Sequence, residues 1–227
     1  MLFRQLFDRK SCTYTYLLAA GPGMGAVLID PVREHVEGYL QLLSELGLTL
    51  ALTLDTHVHA DHVTGAGRLH AATGCATAMG ARSPAQGVTR RLADGERVEV
   101  DGIALTALYT PGHTDDSYCY LMDDRVFTGD TLLIRGSGRT DFQNGCPHSA
   151  WRSITQRLLA LPDATLVYPG HDYNGRTVST IGEERRFNPR LKAGSEDAYV
   201  ALMNGLNLPR PELIDEAVPA NLRGGAD

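Results

Sequence analysis

No two of the four cysteines, Cys12, Cys75, Cys119 and Cys146, form a C-x-x-C pair, which removes a zinc ribbon and a disulfide framework from consideration. They read as reduced thiols that behave as small apolar side chains. Basic runs are missing as well. With a net charge of −6 the chain has no long-range attraction for phosphate backbones, so nucleic acid is not an expected partner. Long apolar runs are also absent: Arg4, Asp8, Arg9 and Lys10 break up the start, leaving nothing to act as a signal peptide or membrane span. A soluble, cytoplasmic protein without a membrane partner is the expectation.

What is present suits one globular unit. Hydrophobic residues make up 43% of 227 and charged residues 21%, enough apolar surface to offset the ordering entropy of a compact chain. A single domain over residues 1–227 is expected, with the Gly-rich segment 222–227 as a loose tail. Residues 13–18 and 26–29 read as a hairpin around the turn 21–25. Val36, Leu40, Leu43 and Leu46 then recur at helical spacing until Gly47 stops them. Further helical patterns occupy 66–72, 151–161 and 198–206.

Four apolar stretches run directly into ligand-type residues. They are 50–54 before Thr56-His57-Val58-His59, 104–109 before Thr110-Pro111-Gly112-His113, 126–127 before Thr128-Gly129-Asp130, and 165–168 before Pro169-Gly170-His171. Strands packed side by side would bring these distant ends to one rim, which predicts packed sheets with helices outside. The densest cluster is His57-x-His59-x-Asp61-His62, four metal-type side chains within six residues. In an extended segment His57 and His59 project to one side, because the side-chain period is two. The competing reading of the cluster is a solvated polar loop; of His113 and His171, a turn histidine after Pro-Gly; and of Asp130, an Asx turn or helix cap. His35, His70 and His148 lack such company and read as ordinary surface or core residues.

The set His57-Val58-His59-Ala60-Asp61-His62, Pro111-Gly112-His113-Thr114, Thr128-Gly129-Asp130 and Gly170-His171-Asp172-Tyr173 resembles the ordered motifs of the metallo-β-lactamase superfamily. That resemblance implies an α+β αββα sandwich: two mixed sheets face to face, helices outside, the motifs at one edge. Within the superfamily the chain is similar to the persulfide dioxygenases. The segments Leu132-Leu133-Ile134-Arg135-Gly136-Ser137-Gly138-Arg139-Thr140-Asp141-Phe142-Gln143 and Ile214-Asp215-Glu216-Ala217-Val218-Pro219-Ala220-Asn221 carry this likeness. It runs from near Thr13 to Asn221, with no rhodanese domain expected. Glyoxalase II is the competing relative, sharing the metal motifs and the stretch from Glu183-Glu184-Arg185 to Asn188-Pro189, but not usually the Gly-Arg-Thr-Asp-Phe-Gln block.

Spacing alone permits two metals, with His57, His59 and His113 at one, Asp61, His62 and His171 at the other, and Asp130 bridging. Resemblance to the dioxygenases implies instead one Fe(II) held by His57, His113 and Asp130, with His59, Asp61, His62 and His171 as outer partners or second-metal ligands. Two imidazoles and one carboxylate leave positions open for a substrate and O₂. The implied reaction oxidises glutathione persulfide with O₂ and water to sulfite and glutathione, in sulfide oxidation. The resemblance further implies glutathione contacts at Arg190 and Asn221, and Tyr173 and Arg139 near the metal pocket. For Arg139 an internal salt bridge to Asp141 is the alternative, and for Arg190 a plain surface charge. A homodimer is implied too. The other readings are a dinuclear hydroxyacylglutathione hydrolase holding two zincs or mixed metals, and a non-catalytic zinc protein. A structural zinc site, however, is usually closed and cysteine-rich, unlike this cluster.

Overall fold

The computed structural model describes residues 1–225. The first half builds one sheet from β1 (Leu2–Phe7), β2 (Tyr14–Ala19), β3 (Gly25–Ile29), β4 (Thr49–Asp55), β5 (Ala76–Gly80) and β6 (Arg90–Leu92). Between them lie α1 (Val36–Glu45) and α2 (Ala66–Thr73). The second sheet holds β7 (Arg97–Val100), β8 (Ile103–Tyr109), β9 (Tyr118–Leu121), β10 (Arg125–Gly129), β11 (Leu166–Pro169) and β12 (Ser179–Thr180). Its half also holds α3 (Pro147–Arg152), α4 (Ile181–Phe187) and α5 (Glu196–Asn204), while α6 (Ile214–Asn221) returns to pack on Val58, Val63 and Met79 of the first half.

Each sheet is mixed. β1, β2 and β3 pair antiparallel while β3, β4, β5 and β6 run parallel. In the second sheet β10 and β11 are parallel and the other neighbours antiparallel. Period-two alternation divides the apolar residues between the layers. On β2 and β3, Tyr16, Leu18, Val27 and Ile29 enter the core between the sheets, where they join Leu105, Tyr118, Phe127 and Tyr168. Their neighbours Leu17, Ala19, Ala26 and Leu28 turn outward under Val36, Tyr39 and Leu43 of α1. On the far side Val126 and Val167 pack beneath Ile154, Leu158, Tyr199 and Met203. This is the α+β sandwich expected from the sequence.

Aromatic packing pins the two sheets near the site. Tyr16 lies 4.9 Å from Phe127, centroid to centroid, and its hydroxyl donates to Pro169 O at 2.5 Å, next to the turn that carries His171. Truncating a buried ring such as Phe127 to alanine costs about 3–5 kcal/mol. The expected helix at 151–161 is irregular: after Arg152 the backbone widens into a π-type turn over Ser153–Leu158. The tail also differs from expectation. Leu222 O accepts from Gln86 N at 2.6 Å, Leu222 packs with Val58, Met79 and Ala85, and Gly225 N bonds Ala220 O. Residues 222–225 are therefore held against the body of the fold; Ala226 and Asp227 lie outside the described residues.

Candidate metal centre

The four parallel or near-parallel strand ends deliver the site. β4 ends at Asp55 just before His57, β8 at Tyr109 before His113, β10 at Gly129 before Asp130, and β11 at Pro169 before His171. Gly129 has φ 48°, and a Cβ there would lie 2.6 Å from Thr56 Oγ1, so the strand end can approach the His57 segment only without a side chain. Gly138 is under the same constraint, since a Cβ would stand 2.7 Å from His113 Nδ1 and 2.3 Å from Asp130 O.

His57, His113 and Asp130 each aim one donor atom at a common point, all within 4.8 Å of one another. The other imidazole nitrogens are already used. His113 Nδ1 donates to Arg139 O at 2.8 Å, and His57 Nδ1 pairs with Thr56 Oγ1 at 3.0 Å. Both rings thereby turn Nε2 toward the shared point, the usual way an outer partner fixes the tautomer of a metal-binding histidine. Burial, helped by the neighbouring imidazoles of His59 and His113, pushes the His57 pKa well down and keeps its lone pair available. Burial opposes ionisation of Asp130, but His171, His113 and His57 outweigh it and hold the carboxyl well below the usual range. Two imidazoles and one carboxylate form a donor set that fits a divalent transition metal.

A second group, His59, Asp61 and His62, also has donor atoms within 4.8 Å of one another. Here Asp61 Oδ2 takes bonds from Thr13 Oγ1 at 2.9 Å, His62 Nδ1 at 2.8 Å and His171 Nε2 at 2.9 Å. His171 bridges the two groups, its Nδ1 lying 2.6 Å from Asp130 Oδ1. Burial works against a charged His171, yet Asp130 and Asp61 on its two sides push its pKa well up. His59 Nε2 pairs with Asp30 Oδ1 at 3.1 Å; burial opposes its protonation, but Asp30, with Asp61 and Asp55 beyond, raises its pKa to about 9. His59 Nδ1 and His62 Nε2 are buried without a protein partner.

Beside His113 and Asp130 lie two adjoining cavities of about 420 and 320 Å³, both also lined by Arg139, Tyr173 and Pro209. Their size suits a peptide-sized ligand. Tyr173 is 70% exposed and stacks at 6.0 Å on His171, its ring nearly parallel. Arg190 lines the larger cavity while its guanidinium also reaches Ser137 O and, at 3.1 Å, Ser137 Oγ. Arg139 is committed inside the protein: it bonds Asp141 at 2.7 and 2.8 Å and Pro209 O at 2.6 Å, and lies over the Phe142 ring. The internal salt bridge is thus its main engagement.

Asn221 requires a correction. It is buried away from both cavities, its amide donating to His59 O at 2.9 Å and His62 O at 2.8 Å and accepting from Thr64 N at 2.8 Å. With these bonds made it braces the ligand segment and does not face a substrate. Three residues that the sequence reading passed over also matter. Asp30, at φ 50°, receives Thr56 N at 2.7 Å, and Asp116 receives Val58 N at 3.0 Å. Thr13 reaches Asp61 from across the fold. Asp30 had a legible signal, since Ile29-Asp30-Pro31 is another strand end running into an acid.

Residues 12–171 match the family model described as the metallo-beta-lactamase superfamily. The chain belongs to that superfamily. Within it, the chain is 47% identical to persulfide dioxygenase ETHE1, mitochondrial, of Bos taurus, over 99% of this chain and 89% of the relative. The crystal structure of ETHE1 from Myxococcus xanthus superposes with a TM-score of 0.97 at 52% identity, covering 99% of this chain and 100% of that one. A more distant structure, TTHA1623 in a di-iron-bound form, gives a TM-score of 0.67 at 28% identity over 83% of this chain and 99% of its own. The chain is accordingly a member of the persulfide dioxygenase branch.

Proposed function

We propose that this protein is an iron-dependent persulfide dioxygenase that oxidises the terminal sulfur of glutathione persulfide with O₂ and water. The balance is GSSH + O₂ + H₂O → GSH + H₂SO₃, so the S–S bond breaks, the outer sulfur leaves as sulfite and the inner one as thiol. The observation that carries the reading is the group His57, His113 and Asp130 itself, whose ligand atoms lie within 4.8 Å of one another while His171 holds Asp130 Oδ1 and Oδ2 stays toward His113. That arrangement supports one metal on His57, His113 and Asp130. An Fe(II) held there supplies open positions and redox chemistry for a thiolate sulfur and O₂. The protein's own groups do the rest. His171 holds Asp130 in place through Oδ1, Tyr173 offers a flat face at the mouth, and Arg190 provides positive charge for a glutathione carboxylate.

The test is a purified preparation assayed with glutathione persulfide. O₂ uptake matched by sulfite, with about one iron per chain by elemental analysis, is expected; no uptake with iron fully loaded would remove the reading. The unpartnered His59 Nδ1 and His62 Nε2 favour a second reading, a dinuclear glyoxalase II-like hydrolase. Two metals per chain and O₂-independent cleavage of a glutathione thioester would establish it instead. A homodimer in the cytoplasm completes the proposal, and light scattering and cell fractionation check those two points.

A further inference from the structure

We infer that Asn221 and Gln143 are positioning residues that clamp the backbone of the ligand segment 57–64 and thereby set where His57 aims. The inference rests on the reading of His57 as a metal ligand. The segment has no strand or helix structure of its own, so its buried backbone groups must find partners elsewhere. Gln143 Nε2 donates to Val58 O at 2.7 Å, opposite Asp116, which receives Val58 N at 3.0 Å. Asn221 takes the other end with its bonds to His59 O, His62 O and Thr64 N. The two amides therefore grip the chain on both sides of Asp61.

The orientation of the Asn221 amide is forced by its surroundings. Reversed, its oxygen would face two carbonyl oxygens and its NH₂ would face the Thr64 N–H. Asn221 is only 3% exposed, so bulk solvent does not reach a mismatch there. Gln143 sits at φ 47° and its neighbour Asn144 at φ 56°, a region that residues with a Cβ enter at a cost and keep only where the surroundings demand it. Neither side chain lines the two cavities beside the metal ligands, so neither is placed to touch substrate. Gln143 and Asn221 also close the two segments that carry the likeness to the persulfide dioxygenases. Those segments, separated by the whole α3–α5 region, meet on one short piece of backbone.

Asn221→Asp preserves size and the acceptor for Thr64 N but sets an anionic oxygen against two carbonyls. Its expected effect is a rise of about 10–100-fold in the Fe(II) dissociation constant, the range typical of outer partners of a metal site. The visible bands of the Co(II)-loaded protein should shift, and in the iron-reloaded enzyme kcat should fall while KM stays near wild type. Gln143→Glu should act in the same direction and less strongly, since it opposes one carbonyl. Leu158→Ala, in the core beneath the helices of the second sheet, serves as a control that lowers Tm without touching the segment. An unchanged dissociation constant and Co(II) spectrum in Asn221→Asp would overturn the inference. So would a Leu158→Ala protein that loses iron to the same degree. If Asn221→Asp does not fold, Gln143→Glu decides, and wild-type iron affinity there overturns it. Iron affinity is read without turnover, so failure of the dioxygenase reading would show in the activity assay alone.

Discussion

Asp130 and Asp61 approach the same imidazole from opposite sides, His171 lying 2.6 Å from one and 2.9 Å from the other. Both carboxylates are drawn to low pKa by surrounding histidines that outweigh the opposition of burial. They differ in how many donors the engaged oxygen carries. Asp130 Oδ1 carries His171 alone while Thr13, His62 and His171 converge on Asp61 Oδ2, and each residue keeps its second oxygen toward a histidine, 3.5 Å from His113 Nε2 for Asp130 and 3.9 Å from His59 Nδ1 for Asp61. The residue types alone make the two groups equivalent ligand sets. The donor count on the engaged oxygen separates them, and the Thr13 hydroxyl is one of the three donors on Asp61.

The strongest way to break this contrast is to remove a ligand from the Asp130 group. His113→Ala should lose iron on purification, with activity falling by more than the roughly 10–100-fold of an outer-partner change; metal analysis and O₂ uptake check it. Next, Thr13→Val should release one of the three bonds on Asp61 and tighten a second metal by about tenfold, read as a second equivalent in a Zn(II) or Co(II) titration. A smaller effect is expected at Arg139→Ala. It frees the 208–209 carbonyls and Asp141 at the cavity wall, so KM for the persulfide should rise a few-fold, about 1 kcal/mol, with iron content unchanged.

The smallest effect concerns Asp8, which lies outside the metal centre. Partial burial opposes its ionisation, but the Ser11 hydroxyl and N–H and His35 lower its pKa from 3.8 to about 2. The folded state therefore favours the ionised form. Its stabilisation is complete above about pH 4 and drains away as pH falls toward 2. Asp8→Asn should flatten the Tm profile across that window, and an unchanged slope would count against the assignment.

The strands that bear the ligands were legible because β-branched and apolar runs stop abruptly at Gly, Pro or Asp, and the hairpin of β2 and β3 declared itself by its turn. The short edge strand β6 carried no such pattern, whereas β7 had an unused one, an alternating Arg97-Val98-Glu99-Val100 run that turns through Asp101-Gly102 into β8. α4 had an unused signal: Thr180 caps it, accepting from Glu183 N at 3.1 Å, in a Thr-x-x-Glu arrangement. α6 was hidden by Pro219 within it. At the site, the identity of the ligand-type residues was readable, but their spare lone pairs were not. Whether Arg139 faces a ligand or Asp141, and whether Asn221 faces a cavity or a carbonyl, depends on long-range neighbours that no local spacing encodes.

Thr64 and the asparagine that receives its N–H are 157 positions apart. At 5–20 residues per second, a ribosome makes the histidine-rich segment roughly 8–30 s before the helix that secures it. During that interval the nascent chain carries an exposed, unshaped metal chelator. Docking of the later helix converts it into a specific receptor, so selective metal capture waits until that helix has emerged.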